Sequence, residues 1–352
     1  MMPDNVGQSI EMSPRPGFQT DSQLYSGADG SALLPLRPDS IVCTVAEGSY
    51  FNGVAALTNS LVHAGFEGTV VVGYRGRKPT WLAQLDKNHA SDTYVVAPRV
   101  HLKLVELLGT WHLNNCKPRF IKEILLEQFP DVDLVFYFDT DVVIKHSWDT
   151  FVRWAHEGVV LVLDIADTYM SPHHVYRRAW QSLAAKRGLK CRDFTGYVNG
   201  GCVGINRAYK EFAIVWSALM EELERDGSDM QKYKYYTGKL EFSRMDQDVL
   251  NATIMATKTP IALLGCEAMG MFPRTGVVIP HAAIFFHEKP WRRKYLIDAL
   301  RGFPPDLTHR AYWEFVDGPV RPFRRFELVR KKLQVRIARL IGLLHTRSIR
   351  DI

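Results

Sequence analysis

Five consecutive apolar residues, Leu134-Val135-Phe136-Tyr137-Phe138, run directly into Asp139-Thr140-Asp141. A short stretch with no polar alternation reads as a strand buried on both faces, which places it in the centre of a mostly parallel sheet. Strands alternating with helices along the chain then give an open α/β sheet with crossover connections. Such sheets bind ligands beyond the carboxyl ends of their strands. Asp139 and Asp141 stand at one of those ends. Two carboxylates sheltered there need compensation, because an unpaired buried charge is costly.

The remaining pattern fills in the same architecture. Strands are expected at 40–46, 68–74, 93–97 and 158–163, and two short ones at 194–198 and 202–205 around Asn199-Gly200-Gly201. Helices are expected near 53–64, from Pro79 onward, in two pieces of 99–129 split at 114–118, within 168–190, and at 208–225 and 245–256. Residues 277–286 read as extended and apolar, ending at His287. The fold class is α/β, with a Rossmann-like, mostly parallel central sheet and flanking helices. Residues 1–38, rich in Pro, Ser, Gly and Asp, read as a flexible leader. Residues 39–320 read as the main domain and 321–352 as a basic amphipathic tail.

Several classes are disfavoured. The loop after the first strand, Ala46-Glu47-Gly48-Ser49-Tyr50-Phe51-Asn52-Gly53, carries no dinucleotide fingerprint, and no GxxxxGK[ST] phosphate loop occurs. The five cysteines form no CxxC pair, which argues against a zinc site or a disulfide framework. The N-terminal stretch has no basic and apolar regions of a secretory signal, and the expected location is cytoplasmic.

Four segments, in order, carry a family resemblance. Phe138-Asp139-Thr140-Asp141 is similar to the FxDxD region of GT-A glycosyltransferases, especially glycosyltransferase family 8, the glycogenin and bacterial lipooligosaccharide galactosyltransferase group. Val198-Asn199-Gly200-Gly201-Cys202-Val203-Gly204-Ile205-Asn206 resembles its "FNxGvxxiN" segment. Met245-Asp246-Gln247-Asp248-Val249-Leu250-Asn251 resembles its "DQDxLN" segment. His287-Glu288-Lys289-Pro290-Trp291 resembles its terminal His…Lys-Pro-Trp segment, with a shorter His-to-Lys interval than many members have.

The resemblance implies a metal-dependent enzyme of GT-A type that moves a hexose from a nucleotide sugar, by preference a UDP-sugar, to a hydroxyl of a glycan or glycolipid. It implies Mn²⁺, with Mg²⁺ an alternative, held by Asp139, Asp141 and His287, with His281 as the other histidine candidate. Thr44, Ala46, Tyr50 and Asn52 are the corresponding candidates around the base and ribose. Lys117 or Arg119 would bridge diphosphate and donor sugar. Asn199 and Gly200 would lie against the sugar. Asp246 would bind its hydroxyls, with Gln247 near its reactive face, and Lys289 would stabilise the leaving diphosphate. The family retains anomeric configuration. Asp164, at another strand end, would orient donor or acceptor hydroxyls, or stand in solvent. Readings outside this class are a sugar-nucleotide nucleotidyltransferase and a non-catalytic sugar-nucleotide or glycan-binding protein.

The net charge of +6 is uneven. Residues 321–352 hold ten Lys and Arg against two acidic residues, whereas the rest holds 34 against 36. A basic surface for nucleic acid is therefore not indicated. In the tail, Phe326, Val329, Leu333, Ile337, Leu340 and Leu344 recur at helical intervals among arginines. Such a helix either docks on the domain or lies on an anionic membrane through 324–344, at the inner face.

Overall fold

The computed structural model describes residues 40–90, 92–165, 169–232, 240–271, 278–279 and 288–350. All of these fall within the compact unit Arg37–Ile352. Strand β1 (Ser40–Glu47) is buried along nearly its whole length. It leads through a 3-10 turn into helix α1 (Phe51–His63), and the chain returns along β2 (Gly68–Arg75), parallel to β1 in register from Ser40↔Gly68 to Glu47↔Arg75. Two parallel strands joined through a helix make a crossover unit, a connection for which strand twist favours the right hand.

The other strands are β3 (Asp86–Asn88), β4 (Thr93–Ala97), β5 (Val100–Glu106), β6 (Leu134–Phe138), β7 (Val159–Leu163), β8 (Val198–Asn206) and β9 (Ile261–Leu264). They form a sheet in the order β3-β4-β5-β2-β1-β6-β8-β7-β9. The central block β5-β2-β1-β6 is parallel, as is the pair β7–β9. The joins β3–β4, β4–β5, β6–β8 and β7–β8 are antiparallel. The sheet is thus mixed rather than mostly parallel. The expectation fails because β8 enters beside β6 from the opposite direction, which no strand's own composition reveals.

Helices cover both faces. Helices α2 (Leu113–Glu123), α4 (Val175–Lys186), α5 (Lys210–Arg225) and α6 (Met245–Ala256) pack with Val135 and Tyr137 of β6. Helices α1 and α3 (Trp148–Glu157) pack with Leu134, Phe136 and Phe138 from the other side. Covering on both faces accounts for the unbroken apolar run of β6. A third core joins Trp291, Tyr295 and Tyr312 through α7 (Tyr295–Leu300), α8 (Leu307–Glu314) and α9 (Arg325–Arg350), with Ala56 and Val143 from the main body.

Four local expectations are revised. The two short strands expected at 194–198 and 202–205 are one strand, β8, which runs through Asn199-Gly200-Gly201. Pro79 is followed by a short 3-10 turn, Thr80–Gln84, rather than a helix. Residues 100–106 are strand β5, whose pairing with β2 turns Val100 and Leu102 into the core. The 114–118 segment does not split two helices; it lies inside α2. There Asn115 donates to the carbonyls of Met230 and Lys232, a tertiary anchor that holds the helix through Pro118. The extended segment expected at 277–286 lies, apart from 278–279, outside the described residues.

Candidate functional site

The pairing of β1 with β6 stops at Cys43↔Tyr137, while β1 continues to Glu47 on its β2 side alone. The two strands therefore part at their carboxyl ends. The chain leaves β1 towards β2 and β5 on one side and returns to β6 on the other. That reversal is where an open α/β sheet forms its ligand crevice. Residues 139–141 extend β6 directly into it.

Asp139 is held from several directions. Its backbone N–H donates to the Gly201 carbonyl at 2.9 Å. The Tyr137 hydroxyl donates to its Oδ1 at 2.8 Å. Lys117 Nζ lies 3.0 Å from the same oxygen and 2.8 Å from Asp246 Oδ2. The Lys117 side chain is only 2 % exposed, and its ammonium lies 4.9 Å from the centre of the Tyr137 ring. One buried cation thus joins the strand-end carboxylate to the start of α6. Burial pushes the Asp246 carboxyl above its ordinary value, and Lys117 opposes that shift.

The second carboxylate has its own cation. Asp141 is buried, and Lys289 Nζ approaches its Oδ2 at 2.6 Å. The Lys289 ammonium is raised above its usual range: burial works against the charge, but Asp141 and then Asp139 outweigh it. Lys289 also faces the Tyr50 ring at 5.8 Å, and the Arg292 guanidinium lies 5.0 Å from that ring. Arg292 and Trp291 both donate to the Ser49 hydroxyl, tying the Lys289 segment to the loop after β1. Helix α1 comes close because residue 53 is glycine. A Cβ there would meet the Thr140 carbonyl oxygen at 2.1 Å.

A polar set continues along β8 and α6. Asn199 Nδ2 donates to Asp164 Oδ2 at 2.8 Å, and Asn199 Oδ1 accepts from the Gly201 N–H. Gln247 is fixed at both ends: Oε1 accepts from the Gly200 N–H at 3.0 Å, and Nε2 donates to Asp164 Oδ2 at 3.1 Å. The β7–β8 register slips between Leu161↔Val203 and Val162↔Asn199, so residues 200–202 bulge. Bulges of this kind re-aim groups beside functional sites. A Cβ on Gly201 would lie 3.0 Å from Asp139 Oδ2, so glycine keeps this meeting point open. Asn251 bonds both the N–H and the carbonyl of Val198, replacing ladder bonds where the strand distorts.

The structure therefore brings together Lys117, Asp139, Asp141, Asp164, Asn199, Gly200, Asp246, Gln247, Lys289 and Tyr50. Arg119 is not among them. Its side chain is 70 % exposed and pairs with Glu123 one turn along α2. Of the two basic candidates, Lys117 is the one inside. Thr44 and Ala46 are fully enclosed in β1, and among the described residues the Thr44 hydroxyl has no hydrogen-bond partner. Asn52 is seen through its carbonyl, which accepts from the Tyr312 hydroxyl. His281 and His287 lie outside the described residues.

The expected Mn²⁺ or Mg²⁺ site is overturned. Among the described residues, no group of three or more His, Cys, Asp or Glu side chains is gathered so that it could hold a metal ion. The physical reason is visible at each carboxylate: ammonium groups of Lys117 and Lys289 supply the positive charge that the metal was invoked to provide.

Sequence reading missed Tyr137 and Arg244 as parts of the site, and it placed Asp248 in the second acidic cluster without a role. Tyr137 lies two residues before Asp139, hence on the same side of the strand, a signal available from period-2 geometry alone. Arg244 reaches 3.8 Å from Asp164 Oδ2. Asp248 accepts from the Tyr197 hydroxyl at 2.7 Å and from the Arg244 N–H at 2.7 Å, and burial raises its carboxyl to about 8.

No protein-family model matches the chain, and no curated protein matches it significantly in sequence.

Proposed function

We propose that the chain is a glycosyltransferase of GT-A type, moving a hexose from a nucleoside-diphosphate sugar to a hydroxyl of a glycan or glycolipid. The observation that carries this reading is the crevice between β1 and β6, where two lysine ammonium groups and a row of hydroxyl-binding groups converge on Asp139 and Asp141. Departure of a nucleoside diphosphate builds negative charge, and preorganised cations aimed at it are the largest single aid such a reaction can receive. Lys289 is the more exposed of the two lysines, held on a segment strapped to Ser49. On donor binding it exchanges part of its contact with Asp141 for the phosphate oxygens. Lys117 stays in place, bridging Asp139 and Asp246.

Asp164, Asn199 and Asp246 offer acceptors and a donor suited to sugar hydroxyls. Gln247 has both ends of its amide engaged. It therefore positions Gly200 and Asp164 rather than attacking the anomeric carbon, a role for which an amide is in any case too weakly basic. That leaves same-face attack, with the departing diphosphate taking the acceptor proton, as the retaining route this site favours. A UDP-sugar is the preferred donor on the resemblance of the four segments. The nucleotidyltransferase reading is weaker, since residues 48–50 form a 3-10 turn leading straight into α1 instead of a glycine-rich activation loop.

The test is release of nucleoside diphosphate, and transfer to sugar acceptors, across UDP-glucose, UDP-galactose, their N-acetyl forms and a GDP-sugar panel. Turnover of one donor class supports the reading. Tight binding of a sugar nucleotide with no turnover under any acceptor would instead favour a binding protein.

A further inference from the structure

Helix α9 (Arg325–Arg350) is apolar on two opposite sides. Leu328, Val335, Ala338 and Gly342 are buried, and a Cβ on Gly342 would strike the Pro304 ring at 2.4 Å, so this side is the seat of the helix on the protein. At ~100° per residue, Phe326, Val329, Leu333, Ile337, Leu340 and Leu344 project roughly 180° away from that seat. All six are exposed, Phe326 at 76 % and Leu344 at 66 %. The helix spends its core contacts on one stripe and still presents a second, about five turns long.

We propose that this outer stripe is a docking surface for an anionic lipid bilayer, on which α9 lies flat. Charge selects the occupant. The exposed residues Arg325, Arg336 and Arg339 border the stripe on one side and Arg330 on the other. Basic residues flanking an apolar stripe place their charges at headgroup level while the apolar side chains enter the acyl boundary. A second copy of the helix is a poor fit. A heptad seam continued from Phe326, Val329 and Leu333 would put Arg336 in its core, and like-charged borders would face each other. Crossing the bilayer is a different matter: among the described residues no helix is long and apolar enough. The same small core holds Trp291, Val335 and Ala338, so the docking helix is built into the segment that carries Lys289. This inference stands apart from the transferase reading and would survive its failure.

The experiment is co-sedimentation of the full chain with vesicles of phosphatidylcholine alone or mixed with phosphatidylglycerol. The proposal expects partitioning at least about tenfold stronger on the anionic vesicles, weakened by salt, as several basic residues at a charged surface imply. Leu333→Ser with Leu340→Ser, and separately Arg336→Gln with Arg339→Gln, should each reduce partitioning by about tenfold while thermal unfolding stays unchanged, since both pairs alter exposed side chains. Equal binding to both vesicle types, no binding by the wild type, or variants that partition like wild type would overturn it. So would a dimer that the leucine variant splits, with vesicle binding absent.

Discussion

Lys117 Nζ lies 2.8 Å from Asp246 Oδ2, with both side chains buried and Asp139 sharing the same ammonium. Removing one partner of such a pair leaves an uncompensated charge in the interior, a cost of about 3–5 kcal/mol. Lys117→Met should therefore destabilise the protein by that order in urea unfolding. Adding Asp246→Asn should recover a substantial part, because the stranded charge is then removed. A Lys117→Met protein as stable as wild type would show that the pair does not form.

Arg119 gives the contrasting case. It lies two residues from Lys117 but is exposed and, among the described residues, pairs with Glu123 along its own helix. Arg119→Ala should change stability by no more than about 0.5 kcal/mol, as exposed pairs do. Donor turnover should stay at the wild-type level. A large fall in turnover would mean that Arg119 swings into the crevice.

Gly53 sets how closely α1 approaches the site. Gly53→Ala places a methyl 2.1 Å from the Thr140 carbonyl oxygen and 2.9 Å from the Trp291 ring. The backbone must move, at a cost of ~1–3 kcal/mol typical of overpacking. Because the contact is with the residue between Asp139 and Asp141, donor turnover should fall along with the melting temperature. Full activity in this variant would contradict the close approach.

Asp248 predicts a pH dependence. Its carboxyl is raised to about 8 by burial, so between its unfolded value near 4 and that point the folded chain holds a proton that the unfolded chain has released. Stability contributed by this group is complete below pH ~4 and is lost as pH rises towards 8, at about 1.4 kcal/mol per pH unit. Asn in its place can accept from the Arg244 N–H through its amide oxygen, and its amide nitrogen can donate to the Tyr197 oxygen once that hydroxyl, which donates to Asp248 in the wild type, turns to accept. Asp248→Asn should fold and show a flatter dependence of melting temperature between pH 5 and pH 8. An unchanged slope would assign the dependence to other groups.

The residues that sequence reading located best are those whose neighbours in the chain settle their surroundings. The apolar run 134–138 announced a strand buried on both faces, and the carboxylates after it followed at once. Asp246 and Gln247 are singled out by the resemblance of residues 245–251 to the DQDxLN segment, and they lie in the first turn of α6. Strand β5 was read as helix although Val100, Leu102 and Leu104 alternate, because the longer 99–129 stretch also holds helical spacing. The Asn115 and Pro118 pair looked like a break because the carbonyls of Met230 and Lys232 that anchor Asn115 are far along the chain. The same distance hid the choice between Lys117 and Arg119: only tertiary packing turns one inward. Counter-charge was foreseen as a need, but its source was taken to be a metal ion rather than two lysines separated by nearly half the chain.

The central claim is that Lys289 and Asp141 form the leaving-group end of a sugar-nucleotide site. The direct measurement is the rate of nucleoside diphosphate release from the preferred sugar nucleotide by wild type, Lys289→Met and Asp141→Asn, each checked for folding by thermal unfolding. Loss of a charge aimed at the departing group should lower kcat by roughly 10²–10³ in Lys289→Met, the scale seen when one transition-state donor is removed. Asp141→Asn should also fall, since it frees the lysine from its tether. Release by folded Lys289→Met at the wild-type rate, or no release by wild type from any sugar nucleotide, would contradict the account.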